Sequence, residues 1–97
     1  MEKSEYYSKA LKIVAELSDI PEQEIVGKSR RAEVVDARWV LICVLKESGW
    51  STHRIAVAID HPERTVNHVL ANMDDRIKYT YNGIGNILEM TRKQLQK

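Results

Sequence analysis

The amino-acid sequence predicts an all-α domain of about six helices, and three observations lead there. Apolar residues recur at spacings of three and four in separate stretches, which is the period of one helix face. No stretch alternates apolar and polar residues as a half-buried strand does. Aromatic residues make up only 6% and Phe is absent, so the core must come from Val, Ile, Leu, Ala and Met, with Trp39, Trp50 and some of the four tyrosines. That palette suits packed helices. At 97 residues and 43% hydrophobic content, the chain can bury one core and is too short for two, so a single domain over 1–97 is expected.

From Ser4 to Leu17, the residues Tyr7, Ala10, Leu11, Val14 and Leu17 form one face of a first helix, which should end near Asp19. Pro21 is placed to open a short second helix, PEQEIV, because a proline in the first turn loses no hydrogen bond there, and Gly27 closes it. A basic loop, GKSRRAE at 27–33, follows. The third helix, roughly Val34 to Glu47, carries Val34, Ala37, Val40, Leu41, Val44 and Leu45 on a broad stripe and stops at Gly49, a left-handed cap. It should be the most buried helix. Ser51 can cap a helix THRIAVAI, and Asp60-His61-Pro62-Glu63 reads as the start of the next, with Asp60 at the cap and Glu63 reaching back. That helix should bury Val66, Val69, Leu70, Met73 and Ile77. Around Tyr81 to Gly85 the run YNGIG weakens it, and Ile84, Ile87, Leu88, Thr91 and Leu95 describe a last amphipathic helix at about 84–96.

Charge is uneven along the chain. Residues 1–26 hold three lysines against six acids, whereas residues 27–97 hold twelve basic against eight acidic side chains. Six of those basics, Lys28, Arg30, Arg31, Arg38, Lys46 and Arg54, fall within 27 residues that carry only three acids. A polyanion is therefore a reasonable partner, with ordinary solvated surface charge as the alternative reading. The opening MEKSEYYSKA has no apolar core, and the longest apolar run, WVLICVL, falls far short of a membrane span, so a cytoplasmic protein without membrane contact is expected. The single Cys43 lies within that run and is expected to be a buried thiol. His53, His61, His68, Asp60, Glu63 and Cys43 show neither HExxH nor CxxC spacing, so no metal, cofactor or catalytic role is expected.

A short helix from Ser51, a tight connection and a second helix from near Pro62 make a helix-turn-helix candidate over about 51–78. In that arrangement the first turn of the second helix enters the major groove, so polar side chains belong there. Arg64 is placed to read a base edge, since a guanidinium can pair with guanine O6 and N7, a contact worth about 1–3 kcal/mol of discrimination. Glu63 either completes the cap or accepts a hydrogen bond from cytosine N4. A packed helical corner with no nucleic acid is the plainer alternative.

The segments GKSRRAEVVDAR, LKESGWS, IAVAI and RTVNHV occur in the order seen in the carboxy-terminal DNA-binding domain of DnaA, the bacterial chromosomal replication initiator, and the chain resembles that family over roughly Val14 to Ile77. The best-matched motifs are VxxAR at Val34 to Arg38 and TVxH at Thr65 to His68. The resemblance implies an all-helical, Trp-repressor-like fold that binds double-stranded DNA with a helix-turn-helix and a basic loop. Carried over by position, Arg30 or Arg31 resembles the loop arginine that enters the minor groove, and Lys46 a lysine on phosphate. Thr52 and His53 fall where the family touches backbone, and Thr65 and His68 match residues near the duplex. With Lys28, Arg54, Pro62, Glu63 and Arg64 they complete the expected DNA-binding set. Where the family has DHT before TV, this chain has Pro62, Glu63 and Arg64, and its turn looks about one residue shorter. The resemblance thus extends to the scaffold and does not carry over the family's box. No GxxxxGK[ST] is present, so a module without the ATPase and without nucleotide, serving transcriptional or replication control, is expected. The rival class is a protein-interaction module, with the stripe Ile84 to Leu95 offered to a second copy or another protein, although the plainer expectation is that the stripe packs on this domain's own core.

Overall fold

The computed structural model describes residues 3–79 and 83–96. Among them lie six helices and no strand: α1 (Lys3–Ser18), α2 (Glu22–Ile25), α3 (Ala32–Glu47), α4 (Thr52–Ile59), α5 (Glu63–Tyr79) and α6 (Ile84–Leu95). The chain is all-helical, as its periodicity predicts. α3 is the axis. Val34, Ala37, Val40, Leu41, Ile42, Val44 and Leu45 are all buried, and α1, α2, α4, α5 and α6 each pack against it. Apolar side chains reach more than one side of this helix, so neighbours can cover it all round. Each fully buried Leu or Ile contributes about 1.5–3 kcal/mol.

α1 and α6 cover one side of α3 and also pack on each other, while α4 and α5 form a corner on it. Ala10 and Val14 of α1 and Ile84 and Leu88 of α6 belong to one continuous core. The α6 stripe that could have served a partner is therefore covered by this domain's own helices: Ile84, Leu88 and Thr91 are buried. Arg92 fixes α6 to the end of α3 with a two-pronged grip on Glu47, Nε to Oε1 at 3.0 Å and Nη2 to Oε2 at 2.5 Å. On the other side, Arg76 of α5 donates from Nε to Asp36 Oδ1 at 2.5 Å and stacks on Trp39, its guanidinium carbon 4.7 Å from the ring centre. Asp36 is buried, so this charge-assisted bond satisfies a carboxylate that would otherwise be costly to bury.

Three helices end in the same way. Asp19 (φ 58), Gly49 (φ 101) and Asp60 (φ 56) adopt the left-handed conformation just after α1, α3 and α4. The next amide in each case folds back on the last turn: Ile20 to the Ala15 carbonyl at 3.2 Å, Trp50 to Leu45 at 3.2 Å, and His61 to Ala56 at 3.1 Å. This is the Schellman arrangement, and it places Ile20 and Trp50, both buried, against the helix they close.

Two expectations are corrected here. α3 begins at Ala32, two residues before Val34, with Arg31 at its cap, so the basic loop ends at Arg31 and Glu33 belongs to the helix. Asp60 does not cap α5. It terminates α4 with its side chain fully exposed, and α5 opens instead from Pro62, whose carbonyl accepts from the Thr65 amide at 3.0 Å. Ser51 does cap α4, its hydroxyl oxygen accepting from the Arg54 amide at 3.1 Å. The weakening expected at Tyr81 to Gly85 lies partly outside the described residues; within them, Gly83 precedes α6 with φ 83.

Candidate nucleic-acid interface

The loop between α2 and α3 has no internal ladder of hydrogen bonds, so its course depends on side chains from elsewhere. Arg38 supplies most of the support. Although it belongs to the basic set that the sequence offers to a polyanion, Arg38 is buried under the loop, where its guanidinium donates to three carbonyl oxygens: Ile25 at 2.7 Å, Ser29 at 3.1 Å and Glu24 at 3.4 Å. The reason is positional. Arg38 is four residues after Val34 and three before Leu41, which places it on the edge of the inward stripe of α3.

The loop also meets the α4–α5 corner. Nε2 of His61 lies 2.9 Å from the Gly27 carbonyl oxygen. A carbonyl only accepts, so Nε2 carries the hydrogen. Lys28 Nζ donates to the Asp60 carbonyl, and the Asp60 carboxylate is 4.0 Å away. The basic loop thereby lies against the turn that immediately precedes the first turn of α5.

The expected site residues divide by what they touch. Arg30, Lys46 and Arg64 are exposed, and their side chains make no hydrogen bond or ion pair with any described residue. Arg31 is exposed but engaged: Nη2 is 2.6 Å from Glu33 Oε1 and Nη1 is 3.2 Å from Glu24 Oε1. In return, Arg31 holds the Glu33 carboxyl below the usual carboxylate range. Arg54 stacks over Trp50 at 4.5 Å, beside Tyr7 and Val57. His53 Nδ1 pairs with Glu63 Oε2 at 3.1 Å, so Glu63 bridges to α4 and does not reach back to cap its own helix. That pair is solvent-exposed and contributes less than about 1 kcal/mol. Thr52 and Thr65 are half-buried near the starts of α4 and α5, and Pro62 is exposed between them. His68 is exposed and meets Trp39 edge-on at 5.8 Å, while the Asn72 amide donates to the His68 carbonyl at 2.8 Å.

What comes together is thus the loop, the corner and the first turn of α5, with Arg30 and Arg64 as uncommitted guanidinium groups. Arg54 is engaged instead over the Trp50 ring. Sequence reasoning missed two residues that shape the site, Arg38 as a loop support and His61 as a clasp. The buried register of Arg38 was visible in the helical spacing; the reach of His61 across 34 residues had no local signal. Among the described residues, no three of His, Cys, Asp or Glu come together as a metal-holding group, and no helix is long and apolar enough to cross a membrane.

Compared with known proteins, the chain matches no family model, and no curated protein is significantly similar to it.

Proposed function

We propose that this chain binds double-stranded DNA sequence-specifically, with α4 and α5 as a helix-turn-helix and the Gly27–Arg31 loop as a second contact, in transcriptional or replication control. The observation that carries the reading is the clasp of the basic loop against the turn that leads into α5, with Arg30 and Arg64 left without partners among the described residues. An arginine on a narrow loop suits the electronegative minor groove, and a guanidinium in the first turn of α5 suits a guanine edge in the major groove. Of the two loop arginines left open by the resemblance to the DnaA carboxy-terminal domain, Arg30 is favoured, because Arg31 is already paired with two carboxylates. Lys46, Thr52 and the amides at the start of α4 suit phosphates.

The test is selection of bound duplexes from a random pool at moderate salt. Enrichment of one short site supports the reading. Recovery of an unenriched pool, or of no DNA, rejects it.

A further inference from the structure

The basic loop is tied directly to the α4–α5 turn by very few atoms. Arg38 fixes the loop to α3 through the Glu24, Ile25 and Ser29 carbonyls, and Arg31 pairs with Glu24 and Glu33. None of those ties reaches α4 or α5. Among the described residues, the hydrogen bonds that tie the loop to the turn between α4 and α5 are His61 Nε2 to the Gly27 carbonyl and Lys28 Nζ to the Asp60 carbonyl. Lys28 is a flexible, largely exposed chain. His61 is a short, partly buried ring with two rotatable bonds, and it hands its hydrogen to a carbonyl at 2.9 Å. Its acceptor is equally confined: a Cβ at Gly27 would come within 2.9 Å of the Gln23 carbonyl oxygen, so the tight approach after α2 requires glycine. The left-handed turn at Asp60 completes the geometry, because it reverses the chain after α4 and brings His61 and the Asp60 carbonyl to the loop together.

We propose that His61 is a positioning residue that clasps the basic loop to the α4–α5 corner and so fixes the spacing at which Arg30 and Arg64 meet a duplex. The inference rests on the DNA-binding reading above. Holding both elements in place before binding means that the second contact forms without a further ordering cost, and it restricts binding to sites whose two base-pair groups match that spacing.

Base preference is measured pair by pair on the duplex selected by the unaltered chain, first with Arg30→Ala and Arg64→Ala to assign which base pairs each arginine governs. His61→Phe keeps a ring and removes the donor; His61→Gln keeps an amide donor of similar reach. The expected result for His61→Phe is a loss of about three- to tenfold in affinity for the selected site, the scale of one hydrogen bond. That loss should fall on the base pairs governed by Arg30, with preference at the Arg64 pairs retained, and His61→Gln should restore the profile. An unchanged profile in His61→Phe, or a loss spread evenly over all pairs, overturns the clasp while leaving the DNA-binding reading intact. An unaltered chain with no preferred duplex overturns both. If His61→Phe does not fold, His61→Asn, polar but too short to reach the carbonyl, takes its place with the same two outcomes.

Discussion

A guanidinium facing three carbonyl oxygens behaves as a structural strut whatever its formal charge. Arg38→Ala would remove the donor from the Ile25 and Ser29 carbonyls, the Glu24 carbonyl keeping the Gly27 amide, so the expected cost is about 2–3 kcal/mol, measured by urea denaturation. A loss under about 1 kcal/mol would mean that water replaces the side chain. Cys43 is similarly defined by its surroundings. Burial, reinforced by the neighbouring Glu47 carboxylate, pushes its thiol up to about 11. Alkylation by iodoacetamide at about pH 8 should then run roughly two orders of magnitude slower than for a free cysteine, because the thiolate is the reactive form. Cys43 is only half-buried, short of the buried thiol that its apolar run suggests, and rapid labelling would contradict the upward shift that this setting produces. For His61, burial is the main cause holding its pKa below the ordinary 6.5, with the charges of Lys28 and Arg38 acting in the same direction and the Gly27 hydrogen bond opposing them. The unfolded chain therefore takes up this proton at a higher pH than the folded one does. The stabilisation from a neutral ring is complete above 6.5 and is lost as pH falls through that value towards the folded one. Calorimetry from about pH 7.5 to 5.5 should show Tm falling, with a shallower fall in His61→Gln; parallel slopes would rule His61 out as a source.

At the level of elements, the DHPE run shows why a helix start and a helix stop can be confused in sequence. Aspartate serves both as an N-cap acceptor and as one of the few residues other than glycine that tolerate the left-handed region. Only the fold decides between them, and here Asp60 closes α4 with its carboxylate in solvent. One substitution separates the two geometries. Asp60→Gly should leave stability unchanged or raise it by about 0.5 kcal/mol, since it relieves a Cβ at positive φ, whereas loss of an N-cap would lower it by about 1 kcal/mol. The helical stripes were legible because each is written within a dozen neighbouring residues: Ala10, Leu11 and Val14 of α1, and Val34, Ala37, Val40, Leu41, Val44 and Leu45 of α3, are buried where their spacing places them. The start of α3 was set two residues late because Arg31 and Glu33 look like loop charge, although their ion pair forms on the first turn of the helix. Contacts between distant elements were not legible. Asp36 and Arg76 are 40 residues apart, and nothing local to either foretells the 2.5 Å bond between them.

Over the whole molecule, the charge that matters is the fraction left over after internal pairing. Of the six cations between residues 28 and 54, Arg38 is buried, Arg31 is paired, Arg54 lies on Trp50 and Lys28 is held at Asp60, leaving Arg30 and Lys46 uncommitted. The sequence tally therefore overstated the basic surface, because pairing and burial appear only once the chain is folded. If the proposed function holds, affinity for the selected duplex should fall as salt rises from about 50 to 200 mM, with Lys46→Ala weakening every sequence alike and reducing the logarithmic salt slope by about one. Arg64→Ala should instead relax preference at one or two base pairs, and an equal loss on all duplexes would remove Arg64 as a reader.

The loop is gripped by its main chain, since Arg38 and His61 hold the carbonyls of residues 24, 25, 27 and 29 and leave the side chain of Arg30 untouched. Position 30 can therefore change identity without altering the path of the backbone that presents it. Such a segment is a ready place for diversification, by natural drift or by deliberate redesign, in which new binding preferences are installed on an unchanged frame.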